Sequence, residues 1–164
     1  MKVRLLVPSP HNIKIMIEIK KLGRSCGECT KCCEGWLSGV AYGYEFKFGT
    51  KCKFLGKGCN IYPYRPSDPC KTFECEYKRN LSIPEWLKPD KSGVIIIKRY
   101  LEDIPYYRVV YGGKKIDQKI YDWAEEYSKL NIKNNVIVDE ILSVKIFSVD
   151  ERFIALANEA YKIK

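Results

Sequence analysis

"GVIIIKRYL", residues 93–101, is followed after a short polar break by "YYRVVYG", residues 106–112. Each stretch crowds β-branched and aromatic residues together, and a glycine bounds the pair at either end, so the two read as paired strands. That reading sets the rest of the chain around a sheet. Downstream, "IDQKIYDWAEEYSKL" (116–130) places Ile116, Ile120, Trp123, Tyr127 and Leu130 on one helical stripe. "NVIVDEILSVKIF" (135–147) returns to strand. Ser148 and Glu151 then have capping-box spacing ahead of "RFIALANEAYKI", a last helix. Upstream, "IKIMIEIK" (13–20) alternates with Ile13, Ile15, Ile17 and Ile19 on one face, and "YEFKF" (44–48) reads as another short strand.

Between these flanks the chain changes character. From Gly23 to about Arg79 it is rich in Gly, Pro and Cys and poor in aliphatic runs, and all eight cysteines lie between positions 26 and 75. Such a segment orders around cross-links or metal more readily than around a core of its own. The expected fold is therefore α+β: a small mixed sheet with two or more helices and an irregular cysteine-rich metal-binding lobe. We expect one domain over 1–164, with the lobe at 23–79 and the α+β scaffold portion at 80–164.

The N-terminal stretch lacks the apolar run and small-residue cleavage site of a signal peptide, and no apolar run approaches the roughly 18 residues that span a bilayer. We expect a cytoplasmic protein with no membrane partner, where thiols stay reduced and clustered cysteines bind metal more often than they pair. The composition, rich in Lys and Ile with a single His and a single Gln, resembles that of thermophiles, in which intracellular disulfides also occur. The formal charge of +9 is lopsided, with +8 of it in residues 1–80. A basic half invites a nucleic-acid partner. Metal-bound cysteines are thiolates, however, and two zinc ions on all eight would halve that excess.

His11 is the only histidine, so histidine-based triads and mixed Cys/His zinc sites are nearly excluded. The acidic residues are scattered without a pairing that suggests acid–base work, and an enzyme is not the leading expectation. What remains is sulfur. Cys26, Cys29 and Cys32 match the first three ligands of a C-x2-C-x2-C iron–sulfur run, and Gly27 eases the bend between the first two. The fourth ligand must come from afar. Cys33 follows Cys32 directly and points elsewhere on either a helix or a strand. The alternatives are two centres, or one centre with spare thiols, drawn from these four together with Cys52, Cys59, Cys70 and Cys75. All-thiolate ligation suits tetrahedral zinc and iron–sulfur centres alike. The triplet favours an iron–sulfur cluster of the 4Fe–4S type over one or two zinc ions.

"CGECTKCC" (26–33) and "CKFLGKGCNIYPYRPSDPCKTFEC" (52–75) together resemble the cysteine-cluster family named for its C-x2-C-x2-C-C signature, a domain described as chelating zinc or iron. The resemblance covers about a third of the chain. It departs in a longer gap between Arg65-Pro66 and Cys70, and in Lys71 standing where arginine is expected. It implies metal chelation without a fixed reaction; separately, we expect a protein or redox partner of unknown identity. A flagellin lysine methylase is similar in its cysteine cluster, so a cluster-dependent methylase-like or redox enzyme is an alternative, as is a zinc-stabilised RNA- or protein-binding module. Around the cysteines, Pro63, Pro66 and Pro69 are expected to stiffen the approach to Cys70, and Tyr62 and Phe73 to exclude water. Arg65 is expected to bind at the cofactor by hydrogen-bonding a ligand sulfur or a backbone carbonyl.

Overall fold

The computed structural model describes residues 24–113, 115–140 and 143–162. The expected strand at 13–20 and His11 lie outside them. The fold is mixed α+β, built on a four-stranded sheet and a separate two-stranded one.

The large sheet has the order β3-β4-β5-β6. Strands β3 (Val94–Leu101) and β4 (Ile104–Tyr111) form the expected antiparallel hairpin, with Ile96 opposite Val109. From β4 the chain crosses through α3 (Gln118–Leu130) and returns as β5 (Asn135–Asp139), parallel to β4. Strand β6 (Val144–Phe147) then pairs antiparallel with β5, so the run read as a single strand over 135–147 holds two antiparallel strands. The last helix, α4 (Glu151–Ala160), closes the chain.

Alternation along β5 divides the core. Val136 and Val138 pack with Ile120, Trp123 and Ala124 of α3, while Ile137 packs with Phe153 and Ala157 of α4. The sheet is thus clad by a helix on each face, which is why its central strands carry long apolar runs. Asp117 caps α3 by accepting from the Lys119 amide at 2.9 Å. Leu130, at the end of the expected stripe, is 76% exposed because the helix ends there and nothing packs beyond it. The cap of α4 is Asp150, which accepts from the amides of Arg152 and Phe153 at 3.0 and 3.2 Å. Ser148, expected in that role, instead donates to the buried Asn135 side chain at 2.5 Å and accepts from the Asp150 amide at 2.9 Å.

Before the large sheet come short elements. A kinked helical turn, Cys32–Trp36, leads to the hairpin of β1 (Gly39–Ala41) and β2 (Tyr44–Phe46), the latter within the expected 44–48 strand. Two turns, Tyr62–Tyr64 and Ser67–Lys71, precede the one-turn helices α1 (Glu76–Arg79) and α2 (Pro89–Ser92). No described helix is long and apolar enough to cross a membrane.

Candidate metal centre

The cysteines enter the structure through two apolar clusters. Cys75 precedes α1 and is buried in the main core with Tyr77, Ile83 and Leu87, and Cys32 packs against that core. Cys52 is buried in a small cluster with Ala41 and Phe46, and Cys33 and Cys70 pack there. Adjacent residues therefore reach opposite clusters, as successive side chains of a turning backbone must.

Local hydrogen bonding links cysteines that lie near one another in sequence or in space. The Cys29 amide donates to the Cys26 carbonyl at 3.0 Å, closing the turn at Gly27, whose φ of +55° lies in the left-handed region. The Cys52 amide donates to the Cys33 carbonyl at 2.8 Å. Leu55 donates to Cys52 at 3.1 Å and pairs as an isolated bridge with Cys59. The Tyr62 amide donates to the Cys59 carbonyl at 3.1 Å. Arg65 then spans the next interval, its Nη1 donating to the Tyr62 carbonyl at 3.0 Å and its Nε to the Cys70 carbonyl at 3.2 Å. Of the two partners expected for Arg65, it is backbone carbonyls that it meets.

Electrostatics follow the same division. Burial pushes the Cys32 thiol far up, and Cys75, Cys29, Cys33 and Cys26 add to the rise. Burial raises Cys75, the facing amides of Lys78 and Tyr77 oppose the rise without closing a cap hydrogen bond, and Cys26 and Cys29 add to it. Burial also raises Cys29, against which the amides of Lys31 and Asp90 donate toward its sulfur. On the other side, burial followed by Cys52, Cys59 and Cys70 pushes Cys33 up to about 11. Cys70 is raised by burial and by Cys52 and Cys59, while the Arg65 guanidinium pulls it down. Buried thiols of this kind hold their protons until a cation displaces them.

All eight cysteines are free thiols. Among the described residues, no group of three or more Cys, His, Asp and Glu side chains is arranged so as to hold a metal ion.

Other residues shape the surroundings. Arg24 donates to the carbonyls of Tyr77 and Ile83 at 3.2 and 2.6 Å, and its guanidinium lies 4.6 Å from the Tyr77 ring centre, tying the chain ahead of Cys26 to the segment after Cys75. Lys88, ion-paired with Asp90 at 3.0 Å, approaches Gly27. Phe73 is half-buried against the main core. Tyr62, expected to exclude water, is 62% exposed and instead supports the Arg65 guanidinium 3.8 Å above its ring. A ring this exposed suits cation stacking better than shielding.

Two positions carry weight that the sequence reading missed. Gly35 has a φ of +89°, and a Cβ there would lie 2.2 Å from the Lys47 carbonyl oxygen. Trp36 lies flat on Gly112, where a Cβ would meet the indole at 2.4 Å. A glycine so soon after paired cysteines was the available signal for the first; nothing local announced the second.

A cleft of about 170 Å³ runs between Thr72–Glu74 with Glu76 and β3 residues Ile97–Arg99. Glu76, next to Cys75, is buried at its floor, and burial raises its carboxyl against the pull of Arg79 and Lys98. Comparison with family models, curated proteins and solved structures finds no match to this chain.

Proposed function

We propose that this protein chelates metal through its clustered cysteines, most favourably as an iron–sulfur cluster of the 4Fe–4S type. The observation that carries this reading is the packing of Cys32 and Cys75 at the main core and of Cys33, Cys52 and Cys70 at the small cluster, with no histidine among them. The donor set fits: all-thiolate surroundings suit soft, thiophilic centres, and several of the thiols are too buried to ionise readily without a bound cation. Iron–sulfur is favoured over zinc by the Cys26-x2-Cys29-x2-Cys32 run, for which Cys75 supplies the distant fourth thiol. This is also the chemistry implied by the resemblance to the C-x2-C-x2-C-C family. Bound there, such a group would supply structural cross-linking or one-electron chemistry. The chain's own residues would hold it: the amides of Lys31 and Asp90 near Cys29, and Arg65 near Cys70, would stabilise thiolate charge. Anaerobic purification of the full chain should yield brown protein with iron and sulfide in matching amounts. Colourless protein holding zinc would replace the cluster with structural zinc, and protein holding neither would overturn the reading.

A second reading, a nucleic-acid-binding module, is favoured by one surface. Tyr42, Tyr44, Tyr62 and Tyr64 are exposed around the β1–β2 hairpin and the turn after Cys59, and the Tyr42 hydroxyl donates to the Tyr64 carbonyl. Lys53 lies 3.6 Å from the Tyr44 ring centre. Exposed rings interleaved with cations suit the stacking and charge needs of a single strand. Affinity for single-stranded RNA should fall steeply with salt; no binding at low salt would remove this reading.

A further inference from the structure

We infer that the eight cysteines form two separate centres, Cys26, Cys29, Cys32 and Cys75 holding one and Cys33, Cys52, Cys59 and Cys70 the other. The inference rests on the proposed metal chelation and adds what it leaves open, the number of centres and the ligands of each.

Three observations carry the partition. The first is packing: Cys32 shares the main core with Cys75, whereas Cys33 shares the small cluster with Cys52 and Cys70. The second is a continuous path of hydrogen bonds and one bridge within the latter set. It runs from Cys33 to Cys52, through Leu55 to Cys59, to Tyr62, and through Arg65 to Cys70, every link a hydrogen bond or bridge. No member of the other set interrupts it. The third is the placement of the Cys26–Cys29 turn: Arg24 ahead of it donates to the Tyr77 and Ile83 carbonyls that follow Cys75, and Gly27 within it lies against Lys88, next to the core residue Leu87. The count agrees with the chemistry, because four thiolates complete the shell of a tetrahedral ion or of a four-iron cluster. Both centres are thereby closed by protein sulfur, an arrangement of structural or electron-carrying sites rather than of sites that bind substrate at the metal.

The two sets also differ in attachment. The first joins the lobe to the main core through Cys75, while the second lies wholly within residues 33–70. Loss of the second should therefore leave the first loaded, and the reverse.

The test is native mass spectrometry of the full chain, loaded either with Zn²⁺ under reducing conditions or anaerobically with iron and sulfide. Wild-type protein should carry two centres. Cys32→Ser and Cys33→Ser should each carry one, and the double variant none. Cys26→Ser, at an exposed residue, and Cys59→Ser serve if the first pair folds poorly. Cys26→Ser added to Cys32→Ser should remove nothing further, whereas Cys59→Ser added to Cys32→Ser should remove the second centre. A wild-type stoichiometry of one centre overturns the partition while leaving metal chelation intact. So does loss of the same centre from Cys32→Ser and Cys33→Ser, or from Cys26→Ser and Cys59→Ser. Wild-type protein that takes up neither metal overturns the proposed function, and the partition with it.

Discussion

Replacing Gly35 with alanine should damage the protein by a route that the structure resolves into two parts. The backbone there is left-handed, at φ +89°, which costs an L-residue about 1–2 kcal/mol. The new Cβ would also lie 2.2 Å from the Lys47 carbonyl oxygen and 2.8 Å from that of Thr50. These are backbone atoms of a closed turn, with Thr50 donating to Lys47 at 2.7 Å and Lys47 to Thr50 at 3.0 Å, so no side-chain rotation relieves the contact. Forced overpacking of this kind costs about 1–3 kcal/mol. The strain has a direction, because Cys52 follows Thr50 by two residues and donates to the Cys33 carbonyl at 2.8 Å. Pushing the turn away from Gly35 draws Cys52 from Cys33.

Gly43→Ala is the control. Its φ of +81° carries the same left-handed cost, but nothing lies within 4 Å of the added Cβ. Thermal unfolding of the metal-loaded proteins should place Gly35→Ala below Gly43→Ala by roughly 2–12 °C, which is about 1–3 kcal/mol at roughly 2–4 °C per kcal/mol for a chain of this size. Metal analysis should find the loss at the Cys33, Cys52, Cys59 and Cys70 set first. Equal midpoints for the two variants would refute the steric reasoning, and full metal retention by Gly35→Ala would refute the coupling to Cys52.

Phe153→Ala, at a fully buried side chain whose ring centre lies 5.5 Å from that of Tyr106, should cost about 3–5 kcal/mol in denaturant unfolding without changing metal per chain. Glu140 accepts from the Tyr121 hydroxyl and, at 2.7 Å, from the Ser143 hydroxyl, and these hold its carboxyl below the usual range. The stability this contributes is present above the unfolded carboxyl's pKa of about 4.3 and is lost as pH falls through the folded value. Glu140→Gln should therefore unfold more easily than wild type at neutral pH, with the difference vanishing in acid; a pH-independent difference would rule the carboxylate out as its cause. Stripping metal should speed amide exchange across 33–70 well before β3, β4 and α3, as mass-resolved exchange on peptides would report. Simultaneous loss of protection in both regions would instead make the metal part of a single cooperative core.

The β3–β4 hairpin could be read because glycines and polar residues punctuate two β-rich runs, and α3 because its buried residues recur at helical spacing. The β5–β6 turn was hidden. Residues 140–143, "EILS", contain no glycine, proline or asparagine, so the run looks continuous until pairing reveals a reversal. Ser148 and Asp150 are both good caps two residues apart; Asn135, far away in sequence, takes the serine and leaves the cap to the aspartate. The cysteine cluster illustrates the same limit. Adjacency alone shows that Cys32 and Cys33 diverge, but assigning each distant thiol requires knowing that Cys75 enters the main core while Cys52 does not.

That difference gives Cys32 and Cys33 unequal structural roles. Cys33, through Cys52, belongs to a cluster whose apolar content is small: among the described residues, Ala41 and Phe46 are its buried members besides Cys52. So little buried surface does little to offset the conformational entropy of ordering a loop-rich segment of that length, and the proposed ligation would supply the remainder. Cys32 belongs to a neighbourhood that already rests on Ile83, Leu87 and the buried end of β3, and that Arg24 clamps through the Tyr77 and Ile83 carbonyls. A ligand there gains a rigid wall on one side and lends the lobe an anchor on the other. Under the proposed ligation, the single peptide between the two cysteines would be where a metal-ordered segment joins a core ordered by apolar burial. Gly35 and Trp36 complete that junction, the glycine letting the chain pass against the Lys47–Thr50 turn and the indole seating it on Gly112 beyond β4.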